Sequence, residues 1–115
     1  IICDADITTR FDAPQIRQAL LNLILNAVDA TKRNGNIKMG CNIENNQMKL
    51  FVENTGEVIS DDILPKIFEP FFTAKPKGTG LGLSIVRNIA RSHKGEITLA
   101  TNEPGRVRFE FILPK

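Results

Sequence analysis

Ala19-Leu20-Leu21-Asn22-Leu23-Ile24-Leu25-Asn26-Ala27-Val28-Asp29 is the segment from which the rest of the chain can be read. Apolar residues surround it almost completely, while Asn22, Asn26 and Asp29 fall four and three positions apart, on one narrow helical stripe. Asn and Asp each cost up to about 0.7 kcal/mol relative to Ala inside a helix, so three of them in an apolar segment need a reason. Two readings stand open from the stripe alone. It is the solvated face of an ordinary amphipathic helix, or it lines a pocket and offers amide oxygens and a carboxylate to a hydrated cation or polar ligand. Asp12-Ala13-Pro14-Gln15 supplies a start, with Asp12 as N-cap, Pro14 in the first turn and Gln15 placed for a capping box. Asn34-Gly35 supplies the stop, which predicts a helix running to about Arg33.

Working outward, Gly78-Thr79-Gly80-Leu81-Gly82-Leu83 alternates three glycines with other residues where a second helix begins. Such spacing lets backbone N–H groups approach a phosphate at the positive end of a helix, but a flexible hinge explains it equally well. It is neither a dinucleotide fingerprint, since no strand precedes it, nor a P-loop, since it lacks the Gly-Lys-Ser/Thr ending. The helix is expected over 81–94, with Leu83, Val86, Ile89 and Ala90 on one stripe and Gly95 just past its end. Between the two helices, Phe68-Glu69-Pro70-Phe71-Phe72 packs three of the chain's seven phenylalanines into five residues. An apolar anchor for a long loop over 68–79 is the favoured reading of the rings. Lys75 and Lys77 flank the glycine turn, where an ammonium can meet a phosphate or simply stay solvated.

Strand periodicity fills the remaining chain. Ile37, Met39, Cys41 and Ile43 alternate, as do Met48, Leu50 and Val52, and Asn45-Asn46 between them predicts a hairpin. Ile97 and Leu99, then Val107, Phe109, Phe111 and Leu113, predict two more strands joined at Glu103-Pro104-Gly105. A short helix capped by Ser60 fits 61–67, and weak strand patterns occur at 1–3 and 7–10. The order makes this an α+β chain, a two-layer α/β sandwich in which a mixed, mostly antiparallel sheet carries its helices packed on one face.

Composition narrows the function. With 115 residues, 42% hydrophobic and 24% charged, one domain with one core is expected. A net charge of +2 gives no reason to expect a nucleic-acid partner. No apolar run reaches the roughly 20 residues of a membrane span, so a soluble, cytoplasmic chain is expected. The absence of a starting methionine points to a fragment of a longer protein, one that could itself be membrane-anchored. Cys3 and Cys41 are too few for a disulfide framework and wrongly spaced for a metal knuckle, so reduced thiols are expected, with Cys41 packed as a small apolar residue.

Taken together, the chain resembles the catalytic ATP-binding domain of sensor histidine kinases, within the superfamily that includes gyrase, the Hsp90 chaperones and MutL. Asn22-Leu23-Ile24-Leu25-Asn26-Ala27 looks like the asparagine box, Phe68-Glu69-Pro70-Phe71-Phe72 the phenylalanine box, and residues 78–83 the second glycine box. The resemblance implies a Bergerat-type ATP-binding fold over 1–115, with ATP between the two long helices and residues 68–79 as a lid. It implies that Asn26 ligates Mg²⁺, that Thr79, Gly80, Leu81, Gly82 and Leu83 meet the phosphates, that Asn22 and Asp29 line the site, and that Lys75 is a further phosphate candidate. The first glycine box departs from the pattern. In Asn54-Thr55-Gly56-Glu57-Val58 only Gly56 is kept, Asn54 stands where an aspartate accepts from the adenine amino group, and Val58 stands for a glycine.

Asn22 stands where hydrolysing members carry a glutamate general base, and an asparagine cannot take a proton, which suits a kinase that holds its ATP. The implied activity is transfer of the γ-phosphoryl group to a histidine on an upstream dimerisation and phosphotransfer domain, in a homodimeric parent that signals to a response regulator through a phosphorelay. His93, the only histidine, sits where the family has one beside a glycine turn, and a helix C-terminal contact is its expected role. The alternatives are a non-catalytic nucleotide-sensing or partner-binding module and a free-standing serine kinase of an anti-sigma system.

Overall fold

The computed structural model describes residues 2–3, 13–31, 34–70 and 82–114. Alternating side chains build the sheet. Along β2 (Ile37–Glu44), β3 (Gln47–Asn54), β4 (Glu96–Glu103) and β5 (Arg106–Pro114) the apolar members line one face. Met39 stands across from Val52, Val52 from Phe109, and Phe109 from Leu99, so the apolar rows run continuously across the strands. With the two-residue β1 (Ile2–Cys3) the sheet has order β1-β2-β3-β5-β4, parallel between β1 and β2 and antiparallel elsewhere. Asn45 and Asn46, with φ of 53° and 60°, both adopt the left-handed conformation that a two-residue hairpin turn requires. Gly105, at φ 79°, does the same for the β4–β5 turn.

Two helices cover the apolar face, α1 (Ala13–Ala30) and α2 (Gly82–Ser92). Ala19, Leu23 and Ala27 of α1 and Val86, Ile89 and Ala90 of α2 share one buried cluster with Met48, Val52, Phe109, Phe111 and Leu113. The expected two-layer α+β sandwich is what forms. One part of α1 differs from its reading as an apolar cylinder: Leu21, Leu25 and Val28 point to solvent, about half exposed, because only one layer of helices lies on the sheet.

Several local expectations are corrected. α1 ends at Ala30 rather than near Arg33, because Thr31 turns its hydroxyl onto the Ala27 carbonyl and pairs its backbone with Gly56. Asn34 is left-handed at φ 67°, as the stop signal implied, while Asp12 and Arg33 lie outside the described residues. Residues 61–67 form a turn and a 3₁₀ segment, Leu64–Lys66, instead of an α-helix. There the Ser60 carbonyl, not its hydroxyl, receives the Ile63 and Leu64 N–H groups, and Pro65 brings no N–H to extend the run. α2 closes through Lys94, which takes the left-handed conformation at φ 61°, so Gly95 is not needed for that. Gly95 serves close packing instead: a Cβ there would stand 2.0 Å from the Ile112 carbonyl oxygen. Cys41 is buried as expected but is not a reduced thiol. It is disulfide-bonded, and the parallel register sets its Cα beside that of Cys3. Pairing of β1 with β2 brings together cysteines 38 positions apart (41 − 3), which sequence spacing alone does not show.

The opposite face of the sheet is charged. Arg108 lies 3.8 Å over the Phe51 ring and pairs with Glu53 and Glu110 at 3.5 and 3.2 Å, while Arg106 reaches Glu53 at 3.0 Å. Burial alone would raise the Glu53 carboxyl, but the hydrogen bonds and charges of Arg106 and Arg108 outweigh it and hold the group below its ordinary range.

Two outcomes follow. Gly95→Ala should destabilise the chain by about 3 kcal/mol or more in urea denaturation, since strand β5 must give way to the new methyl. Because the folded Glu53 carboxyl lies below its unfolded value, its stabilisation is complete above the ordinary carboxylate range and is lost as pH falls through the lower folded value. Unfolding free energy measured from neutral pH into acid should therefore decline less steeply in Glu53→Gln than in the parent chain.

Candidate functional site

Burial of Ala19, Leu23 and Ala27, each at most 2% exposed, fixes the rotation of α1. At 100° per residue this turns Asn22 and Asn26 sideways along the edge of the core, where both are half-buried. Asp29, the third member of the stripe, is exposed. The stripe is therefore two half-buried residues and one in solvent, not a uniform wet face.

Asn22 joins the two helices. Its Nδ2 donates to the Gly82 carbonyl oxygen at 3.3 Å, and its Oδ1 accepts from Gln18 Nε2 at 2.9 Å. The polar stripe of α1 is thereby brought to Gly82, the first residue of α2. A Cβ on Gly82 would meet nothing within 4 Å, so open space adjoins the backbone there. Leu83 is half-buried and packs against the core. Lys75, Thr79, Gly80 and Leu81 lie outside the described residues, as do Phe71 and Phe72. Phe68 anchors the segment that leads towards them, its ring edge-on to Phe109 at 6.0 Å. His93 bonds the Ile89 carbonyl through Nδ1 at 2.9 Å, the helix-end contact that its position implied.

Asn54 closes β3 with a side chain only 3% exposed, between Ile37 and Val107 in the register. Its Nδ2 donates to the Thr55 carbonyl at 3.3 Å, which orients the amide and leaves Oδ1 as an acceptor. Gly56 is required by close approach on both sides: a Cβ would stand 2.7 Å from the Ala30 carbonyl oxygen and 2.9 Å from Asn54 Nδ2. Val58 is 43% exposed at the tip of the loop that follows. Among the described residues no three His, Cys, Asp or Glu side chains converge as a metal site.

Sequence reading did not single out three residues that shape this site. Gln18 orients Asn22 from one turn earlier, a signal visible in the four-residue spacing. Thr31 pairs with Gly56, and Asn102 bonds Ile59 across 43 positions; both contacts arise only once the sheet forms. Gly56→Ala should displace the Asn54 amide and destabilise the chain by roughly 1–3 kcal/mol, seen as a shifted Asn54 side-chain amide resonance and a lower urea midpoint.

Residues 11–115 match the family described as histidine kinase-, DNA gyrase B- and HSP90-like ATPases. Among curated proteins, the chain is 41% identical over 103 residues to sensor histidine kinase ZraS of Escherichia coli O157:H7, covering 90% of this chain and 22% of that protein. It is 36% identical over 106 residues to the sensor protein FixL of Bradyrhizobium diazoefficiens, again over 90% of this chain and 21% of that protein. The chain thus spans about a fifth of the length of these relatives. Among solved structures, the catalytic domain of histidine kinase ThkA superposes with a TM-score of 0.87 at 41% identity, covering 98% of this chain and 75% of that one. Full-length ShkA, solved in complex with AMPPNP, superposes with a TM-score of 0.78 at 29% identity, over 90% of this chain and 22% of that one. The match over residues 11–115 and the sheet with its two covering helices are those of the histidine kinase-, DNA gyrase B- and HSP90-like ATPases, and the chain belongs to that family.

Proposed function

We propose that residues 1–115 form a catalytic domain that binds Mg-ATP and donates the γ-phosphoryl group to a histidine on a separate dimerisation and phosphoacceptor domain, in two-component signalling. The observation that carries this is the Asn22 to Gly82 hydrogen bond, which ties the asparagine stripe to the first residue of α2, at the end of the glycine-rich sequence 78–83. A nucleotide bound at this junction would have amide oxygen on one side and backbone N–H groups on the other, which is what a triphosphate and its cation need.

The residues present fit that ligand. Asn26 projects half-buried from the same stripe one turn beyond Asn22, and no other described side chain engages it. One amide oxygen is enough for Mg²⁺, which takes most of its six oxygens from phosphates and water and, when bound, neutralises phosphate charge. Asn54 Oδ1 would accept from the adenine amino group in place of a carboxylate, and Gly56 lets the chain pass close beneath it. Asp29 would stand at the solvent side, with Thr79, Gly80, Leu81, Gly82 and Leu83 facing phosphate and Lys75 adding charge. Asn22 has both amide groups committed to Gln18 and Gly82 and has no ionisable proton, so it holds geometry without activating water. Phosphoryl transfer under these conditions is governed by positioning: an imidazole nitrogen attacks in line while backbone amides stabilise the equatorial oxygens.

Partners follow from that chemistry. The acceptor histidine would belong to a dimerising domain of a longer homodimeric protein, and a response regulator would receive the phosphoryl group afterwards. ThkA has been solved in complex with response regulator TrrA, a likeness at 36% identity and TM-score 0.80 that supports the assignment. No helix among the described residues is long and apolar enough to cross a membrane. A non-catalytic nucleotide-sensing module is the second reading, favoured by Asn54 and Val58 in the first glycine box.

In the longer protein, incubation with radiolabelled ATP and Mg²⁺ should give an acid-labile, base-stable phosphohistidine, reduced roughly 100-fold in Asn26→Ala. Full labelling in that variant would contradict the role given to Asn26, and no labelling in the parent would favour the sensing module.

A further inference from the structure

The loop after β3 is pinned at four places. Thr55 N–H donates to the Asn36 carbonyl at 3.0 Å and Thr55 Oγ1 accepts from Asn36 N–H at 2.9 Å. Gly56 pairs with Thr31 and accepts from Gly105 N–H at 3.1 Å. Beyond Gly56 the loop leaves the sheet, and a side chain of β4 holds it at Ile59. Asn102 Oδ1 accepts from Ile59 N–H at 2.8 Å, while Asn102 Nδ2 donates to the Ile59 carbonyl at 2.8 Å. One amide thus satisfies both backbone groups of Ile59, as a neighbouring strand would.

A defect in β4 puts Asn102 there. Regular alternation from Leu99, which faces the helices beside Phe109, would turn Thr101 to the helix side and Asn102 to the charged face. The register slips between Leu99 and Thr101, so Asn102 stands across from Val107, whose side chain is in the core. The bulge thereby exchanges the faces of the last residues of β4 and delivers an amide to the loop.

We propose that Asn102 is a positioning residue for recognition of the nucleotide base. By holding both backbone groups of Ile59 it fixes the loop that begins at Asn54 and Gly56, and so fixes the acceptor and the wall against which an adenine would be read. This rests on the nucleotide reading above. It adds that base affinity and selectivity are set from the far edge of the sheet, by a residue that touches no ligand. Adenine offers an amino group to Asn54 Oδ1 where guanine offers an oxygen, so a loosened loop should lose discrimination as well as affinity.

The test uses the full 115-residue chain, titrated by calorimetry with non-hydrolysable ATP and GTP analogues, together with amide hydrogen exchange. Asn102→Ala should weaken the ATP analogue about tenfold and narrow its preference over the GTP analogue, and the Ile59 amide should exchange faster. Asn102→Asp, which keeps the acceptor for Ile59 N–H but loses the donor, should fall between. Arg108→Ala, on the opposite face, serves as a variant that loses stability without touching the loop, and its affinities should match the parent. An Asn102→Ala affinity and selectivity equal to the parent, or equal to those of Arg108→Ala, would overturn the proposal. So would an unchanged Ile59 exchange rate. Failure of the parent chain itself to bind either analogue would instead overturn the nucleotide reading on which the proposal rests, a result distinguishable from the others because it appears before any substitution.

Discussion

The rotation of α1 about its own axis is the constraint on which the rest depends. Ala19, Leu23 and Ala27 share the core with Val52 and Phe111, and two of the three are alanines, so the helix lies close to the sheet with little room to roll. A roll of one residue position, about 100°, would place an asparagine in the core and a leucine at the helix junction, at a cost of several kcal/mol in stranded polar groups and exposed apolar surface. Hydrophobic burial therefore aims Asn22 and Asn26, although neither contributes to it. The Asn22 bond to Gly82 then sets where α2 may begin, so the two halves of the candidate site are coupled through the core and not through a ligand.

The loop after β3 obeys a different logic. There the chain leaves β3 and must satisfy its backbone without a strand beside it, and it does so with whatever the neighbouring elements provide: Asn36, Thr31, Gly105 and Asn102. Close approach makes Gly56 obligatory, since both the end of α1 and the Asn54 amide press against it. The charged face, with Arg108 stacked on Phe51 and shared between Glu53 and Glu110, stabilises the same strands from behind without entering the site. Placement of the loop and stability of the strands thus draw on separate groups of residues.

How much was legible in the sequence follows from the range of each interaction. Periodicity reads local repetition, so the two long helices, the four longer strands and the helix face of the sheet were all visible, down to the Asn45-Asn46 turn. The asparagine stripe is visible too, but its burial depends on what lies beside it, and the fold half-buries Asn22 and Asn26 while leaving Asp29 in solvent. Boundaries depart from the local pattern where a long-range contact intervenes: Thr31 leaves α1 early to meet Gly56, and Lys94 takes the left-handed turn while Gly95 yields to Ile112. The disulfide of Cys41 and the role of Asn102 were illegible for the same reason, one resting on a parallel strand pair and the other on a bulge, neither of which leaves a mark in spacing.

On the proposed function, an asparagine junction and a first glycine box carrying Asn54 and Val58 still form a working nucleotide site. Titrating the chain with a non-hydrolysable ATP analogue, with and without Mg²⁺, tests it most directly. Saturable binding strengthened by Mg²⁺ is the predicted result. No heat of binding at millimolar analogue, with the chain folded throughout, would contradict it.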